Sequence, residues 1–243
     1  YYVDGTPRIG DALVSGQWKT LLVGSSGAGG RSIFALDVSN PNSMSASSVL
    51  WEFTHPEMGY SLGRPSLVPL YNGKFGVIVT SGYDRPTTTT NGYVWLLDAS
   101  NGSVIKRFDL PNSGDLGAPL AVDIDNDRVA DRVYVADTLG KVWRLDITGT
   151  SASGWDAPSS LKSGGNITPL FLAKDASGVA QPITAPLDAA YTKDREIMLV
   201  FGTGSFYQTT DNEVPASPQV QSFYGIVDSG VQINGRSTLL EQE

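Results

Sequence analysis

Four segments of the chain share one plan, and this repetition restricts the possible folds strongly. Each segment has a turn containing proline, a short strand, a second apolar strand that ends near glycine or small residues, and an aromatic-rich strand that closes on aspartate. The turns are marked by Pro7, Pro65, Pro119 and Pro186, at spacings of 58, 54 and 67 residues, compatible with blades of about 40 to 50 residues plus insertions. Because one such unit cannot bury its apolar face alone, the pattern predicts a β-propeller.

The spacing of turn residues predicts an all-β chain. Its 27 Gly and 14 Pro, with many Ser, Thr and Asn, separate short β-branched and aromatic runs, and helix signals are scarce. We expect a single β-propeller domain over residues 1–243, or part of one, with at least four blades, approximately 1–53, 60–110, 115–150 and 165–230. Fourth strands are expected at 49–53 and 104–108, and a polar loop tip at 87–90. The chain starts with Tyr1 and not Met, so we expect it to be an excerpt of a longer polypeptide.

The third unit contains a tight loop, residues 123–131, with carboxylates at its first, third, fifth and ninth positions. Four like charges at this spacing repel one another unless a cation lies among them. Calcium takes six to eight oxygen ligands, and side chains two residues apart on a curling backbone can point at one centre. The loop therefore predicts a Ca²⁺ site formed by the side chains of Asp123, Asp125, Asp127 and Asp131 and the main-chain carbonyl of Val129.

The same loop begins like an EF-hand and then departs from it. Arg128 occupies the sixth position, where an EF-hand has Gly, and Tyr134 occupies the twelfth, where it has Glu. The flanking apolar runs favour strands over helices. Two plainer interpretations stay open: a solvated acidic turn without an ion, and a calcium ion that only staples the loop without a signalling role.

Composition argues against several functions. The formal net charge of −8, with no Lys/Arg cluster, disfavours nucleic acid and anionic membrane surfaces. No run approaches the roughly 20 apolar residues of a membrane-inserted helix, and without Cys there is no thiol active site. His55 is the only His, which excludes a multi-His zinc site. We identify no catalytic residue and no organic cofactor site, so we expect a non-enzyme, and predict that Trp18, Trp51, Trp95 and Trp143 pack between blades.

Two resemblances extend this interpretation. Residues 96–104 resemble the blade repeat of quinoprotein-like propellers, in which an apolar-Asp run, a Gly turn and a Trp recur. Nearly the whole chain is similar to the C-terminal propeller of the PilY/PilC family of type IV pilus proteins, and residues after Asp146 match least. The motifs that carry this second resemblance are 2–7, 18–24 with 27–31 and 35–37, and above all 123–131 followed by 133–140.

The family resemblance implies a secreted protein at the bacterial cell surface, at the pilus tip, or at the outer membrane and periplasm. Its calcium-bound propeller would regulate pilus extension and retraction, and so twitching motility, adhesion and surface attachment. The implied partners are type IV pilus components: minor pilins, the pilus tip or the secretion machinery. In that family the loop binds calcium through positions that match Asp123, Asp125, Asp127, Val129 and Asp131.

Two other classes of protein are alternatives. A quinoprotein-type dehydrogenase would hold a redox cofactor on the propeller axis with calcium beside it. An integrin-like adhesive propeller has calcium loops with a related pattern of alternating Asp, usually in several blades, whereas here the loop occurs once.

Overall fold

The structure is a computed structural model that describes residues 2–86 and 90–241. Four antiparallel sheets dominate it, one for each repeated unit, which confirms the all-β prediction. Residues 87–89, part of the predicted loop tip, lie outside the described residues. Within the described ranges, no helix has both the length and the apolar character required to cross a membrane.

The strands follow one another in chain order within each sheet, with one exception. The first sheet contains β1 (Arg8–Val14), β2 (Gln17–Ser25), β3 (Ile33–Asp37) and β4 (Val49–Phe53). The second contains β5 (Ser66–Pro69), β6 (Phe75–Thr80), β7 (Gly92–Asp98) and β8 (Val104–Leu110). The third contains β9 (Leu120–Val122), β10 (Arg132–Ala136) and β11 (Lys141–Asp146). A hairpin of β12 (Lys162–Ser163) and β13 (Asn166–Ile167) follows, and then β14 (Phe171–Leu172) returns to pair with β11. The fourth sheet contains β15 (Asp188–Tyr191), β16 (Ile197–Gly202) and β17 (Phe223–Val227).

Short 3₁₀ helices occupy the connections. They lie at Pro41–Ser43, Ala46–Ser48, Ala152–Gly154, Ser159–Leu161 and Arg236–Thr238. The two fourth strands expected from the sequence are present as β4 and β8. The outer strand of the third sheet, β14, lies beyond the segment 115–150, because the intervening chain first packs Trp155 and Leu161 into the core.

The second sheet is buried on both faces, which explains how the sheets stack. All seven residues of β7 are buried. Tyr93, Trp95 and Leu97 join an apolar cluster shared with the first sheet, whereas Val94 and Leu96 join one shared with the third and fourth sheets. Alternate side chains of a strand point to opposite faces, so this two-residue period places apolar layers on both sides. The sheets therefore pack face to face.

Three of the four tryptophans predicted to pack between blades are buried. Trp51, Trp95 and Trp143 are 7%, 1% and 1% exposed. Trp18 is 69% exposed because it lies beside the turn at the end of the β1–β2 hairpin, and its packing between blades is limited to an edge-on contact with Phe75 of the second sheet.

Trp51 joins the first sheet to the second through a glycine turn. Its indole Nε1 donates a hydrogen bond to the Ala99 carbonyl at 2.9 Å. Its ring lies against Gly102, which has φ +71° in the turn between β7 and β8. A Cβ on Gly102 would approach the Trp51 ring to 2.8 Å, so the position requires glycine both for its backbone angle and for its contact.

We expect Gly102→Ala to lower the free energy of unfolding by about 1–3 kcal/mol, since it adds steric overlap with Trp51 to the cost of a left-handed alanine. Gly73→Ala is the matched control, because Gly73 has φ +76° with nothing within 4 Å of the added Cβ. Urea denaturation of the two variants separates the cost of the overlap with Trp51 from the cost of the left-handed backbone conformation. Equal losses in both variants would show that the Trp51 contact contributes nothing.

Candidate metal centre

The acidic loop joins two strands of the third sheet. β9 and β10 pair with Arg132 opposite Val122, and the Asp131 amide donates to the Val122 carbonyl at 3.0 Å, so residues 123–131 form a closed excursion at the strand ends. Asp131 is buried, Asp123 is partly buried, and Asp125 and Asp127 are exposed. The loop therefore has one fixed carboxylate at its base and others nearer solvent.

Asp123 organises the backbone of the loop. Its carboxylate accepts hydrogen bonds from the amides of Asp125 at 3.2 Å, Asn126 at 2.7 Å and Arg128 at 2.7 Å. Asn126 and Arg128 have φ values of +66° and +73°. Arg128 thus takes the left-handed conformation for which an EF-hand uses glycine at the same position. The loop therefore differs from an EF-hand in the residue type at its sixth position but has the same backbone turn there.

Three of the predicted ligands converge. Carboxylate oxygens of Asp123, Asp125 and Asp131 all lie within 4.8 Å of one another. Oxygens bound at about 2.3–2.6 Å from one Ca²⁺ can be at most about 5 Å apart, so this spacing fits a single ion. The donors are anionic oxygens, the kind that a hard cation prefers. The residues present therefore fit calcium.

Asp127 and Val129 are placed differently. The Asp127 carboxylate is outside the converging group and accepts a hydrogen bond from the Val129 amide at 2.7 Å. The Asp125 carboxylate accepts one from the Asp127 amide at 3.1 Å. The structure thus brings together three of the four predicted acidic ligands. The ligand roles of Asp127 and of the Val129 carbonyl stay predictions.

Asp131 is in an unfavourable place for an isolated charge. Burial raises its pKa above the usual value, hydrogen bonds from the Ile124 amide and the Tyr71 hydroxyl oppose the rise, and the charges of Asp125 and Asp123 add to it. These hydrogen bonds measure 2.6 Å and 2.8 Å. A bound cation would offset both the burial and the repulsion, because opposite charge favours the ionised form.

Two neighbouring sheets hold the loop. From the second sheet, the Tyr71 hydroxyl donates to Asp131, and the Pro69 carbonyl accepts from the Ala130 amide at 3.1 Å. From the fourth sheet, the Tyr191 hydroxyl donates to the Asp123 carbonyl. Sequence reasoning missed Tyr71 and Tyr191, because no motif links them to a loop more than 50 residues away.

His55 has an ordinary structural environment. It is partly buried, its ring lies against Trp95, and its Nδ1 accepts a hydrogen bond from the Glu57 amide at 3.2 Å. Its surroundings contain no Ser-His-Asp arrangement among the hydrogen bonds of the described residues.

Comparison with known proteins identifies the family. A family model described as the PilY1 beta-propeller domain matches residues 1–240. The Type IV pilus biogenesis factor PilY1 homolog of Xylella fastidiosa is 36% identical over 260 residues, covering 100% of this chain and 17% of that protein. Type IV pilus biogenesis factor PilY1 of Pseudomonas aeruginosa PAO1 is 32% identical over 248 residues, covering 94% of this chain and 21% of that protein. The chain thus spans about a fifth of the length of these relatives.

A solved structure agrees with the sequence comparison. The crystal structure of the Pseudomonas aeruginosa PilY1 C-terminal domain matches with a TM-score of 0.83 and 30% identity, covering 96% of this chain and 50% of that one. The predicted propeller architecture and the resemblance to pilus proteins are both confirmed. The four sheets and the repeated units are thus those of a known kind of domain, and the chain belongs to the PilY1 β-propeller domain family.

Proposed function

We propose that this chain is the calcium-binding propeller of a type IV pilus-associated protein, and that calcium in loop 123–131 regulates pilus extension and retraction. Twitching motility, adhesion and surface attachment would follow from that regulation. The convergence of the carboxylates of Asp123, Asp125 and Asp131 carries the proposal. The relatives, named as type IV pilus biogenesis factors, supply the cellular context.

The regulatory step would depend on how charge changes the loop. Without an ion, three carboxylates meet at one point, and their repulsion favours arrangements that separate them. Calcium would favour the closed arrangement, with Asp127 and the Val129 carbonyl as further ligands. Because Tyr71 and Tyr191 tie the loop to the second and fourth sheets, closing would also order those two contacts. Calcium shifts the populations only if it binds the two arrangements with different affinity.

The proposed setting is the bacterial cell surface, the pilus tip, or the outer membrane and periplasm of a secreted protein. Its partners would be minor pilins, other pilus tip components or the secretion machinery. We propose no catalytic role, and the relatives are named as biogenesis factors and not as enzymes.

We expect calorimetry to detect one Ca²⁺ site in this chain, and Asp125→Ala to remove measurable binding, because it takes away one of three converging charges. Asp194→Ala is the matched control: Asp194 is exposed in the turn between β15 and β16, and its loss changes the net charge equally. Binding by Asp125→Ala equal to that of the Asp194→Ala control would contradict the assigned site.

A thermal melt with and without chelator separates regulation from stapling. Reversible regulation predicts that the wild-type chain and Asp125→Ala both stay folded in chelator, since apolar packing and sheet pairing hold the blades. Collapse of the fold in chelator would instead make calcium a structural staple.

In cells, Asp125→Ala in the parent protein should alter twitching, and Asp194→Ala should not. Unchanged twitching in a variant that has lost calcium binding would exclude the regulatory role.

A further inference from the structure

An open cavity of about 660 Å³ lies where the innermost segments of the four sheets converge. Its walls come from β1, β5, β9 and the residues just before β15, so each of the four proline-marked units contributes to it. Cavities of roughly 300–1,000 Å³ hold small-molecule ligands. This space is separate from the acidic loop, none of whose residues lines it.

The charge of this cavity is opposite to that of the chain. The formal net charge is −8, yet the described residues that line the cavity include Arg8 and Arg64 and no Asp or Glu. Both arginines are exposed, and neither side chain makes an ion pair or hydrogen bond within residues 2–86 and 90–241. Other arginines do pair with carboxylates: Arg31, Arg85, Arg107, Arg132, Arg144 and Arg236. Two arginines without protein partners therefore line one cavity.

A buried phenol adds an unused donor. Tyr83 lines the cavity, is 4% exposed, and its hydroxyl makes no hydrogen bond in the part of the chain that the structure describes. Among the described residues, the side-chain polar atoms that are both inaccessible to solvent and without a hydrogen-bond partner are the hydroxyls of Ser25 and Ser113. The Tyr83 hydroxyl is not one of them, so it is accessible from the cavity. Burial, with the charges of Tyr207 and Asp115, raises the pKa of Tyr83 to about 12, so it stays a donor at neutral pH. The hydroxyl is therefore available to donate to a ligand in the cavity.

We propose that the cavity binds a small organic dicarboxylate, with Arg8 and Arg64 each pairing with one carboxylate and the Tyr83 hydroxyl donating to the same ligand. The planar guanidinium fork matches a carboxylate bidentately. The apolar wall, which includes Leu67 and Pro119, suits the hydrocarbon between the two acid groups. The inference is independent of calcium, since it uses other residues.

Calorimetric titration of the calcium-saturated chain with succinate tests this site, and succinamide is the uncharged ligand of similar shape. We expect saturable succinate binding that weakens as salt screens the charges, and no binding of succinamide. Arg8→Gln and Arg64→Gln should each weaken succinate binding about tenfold, as expected for one lost charge-assisted contact. Arg195→Gln, an exposed arginine outside the cavity, should bind as wild type does.

Tyr83→Phe gives an independent readout, because it removes only the hydroxyl. We expect it to weaken succinate binding about threefold or more without loss of the fold, since the hydroxyl has no protein partner to lose. Equal binding of succinate and succinamide, or wild-type affinity in both arginine variants, would overturn the proposal. Binding of inorganic phosphate with no binding of succinate would also overturn it, since the site would then take a single compact anion.

Discussion

Replacing Asp228 with alanine is expected to lower the free energy of unfolding by about 3–5 kcal/mol, the usual cost of removing one partner of a buried ion pair. The Asp228 side chain is fully buried at the end of β17, in the fourth sheet. It accepts hydrogen bonds from Arg144 at 2.8 and 3.0 Å, from Arg132 at 3.3 Å and from the Tyr134 hydroxyl, all in the third sheet. The variant would leave these donors of the third sheet without their acceptor, at the boundary with the fourth sheet.

Most of this loss of stability is expected to come from Arg144, which would lose one of its two carboxylate partners. Its side chain is 7% exposed and also pairs with Asp146 at 2.9 Å within its own sheet. Burial acts to lower the pKa of Arg144, but hydrogen bonds and charge from Asp146 and Asp228 outweigh it and raise the pKa, so the arginine stays charged. A buried cation that keeps only one of two carboxylates is poorly compensated.

Urea denaturation of Asp228→Ala beside Asp109→Ala measures the effect. Asp109 pairs with Arg107 at 2.8 Å, but it is 47% exposed, so its loss should cost no more than about 1 kcal/mol and should diminish in high salt. The Asp228→Ala loss should persist in high salt. A loss for Asp228→Ala as small as that for Asp109→Ala would mean that the sheets are not joined through this carboxylate.

Trp143→Ala should destabilise the chain by a comparable amount, about 3–5 kcal/mol, as for other large core residues cut to alanine. Trp143 lies on β11, is 1% exposed, and donates its indole N–H to Asp137 at 3.0 Å. Asp137 is fully buried and also accepts from the amides of Gly114, Leu139 and Lys141. The variant therefore opens a cavity and removes a donor from a buried carboxylate.

Two controls separate these contributions. Trp143→Phe keeps most of the volume and loses the N–H, so it should fall between wild type and Trp143→Ala in a urea titration. Trp18→Ala should cost less than about 1 kcal/mol, because Trp18 is 69% exposed. A Trp143→Ala loss no larger than that of Trp18→Ala would show that this core position packs loosely.

Much of the fold could be predicted from local patterns. Continuous apolar and aromatic runs located β6 and β7, and the runs that follow the Asp-ended strands located the outer strands β4 and β8. The loop 123–131 could be recognised because its carboxylates are near neighbours in the chain, and three of them do converge. The burial of Trp155 could not be predicted, because the polar loop around it has no periodic pattern.

The aspartates that close the third strands show where sequence stops being informative. Asp37 pairs with Lys19 at 2.8 Å, and Asp98 pairs with Lys74 at 2.8 Å, each within its own sheet. Asp228 directly follows the corresponding strand of the fourth unit but pairs with Arg144 of the third. The repeated sequence pattern was sufficient to predict that each unit forms a set of strands with an aspartate at the end of its third strand.

Only the tertiary structure decided which of these carboxylates would join two sheets, that Tyr71 and Tyr191 would hold the acidic loop, and that Arg8 and Arg64 would share one cavity. The physical reason is that strand periodicity and turn chemistry depend on residues adjacent in the chain. Contacts between sheets join residues far apart in sequence, and the way the sheets pack sets them.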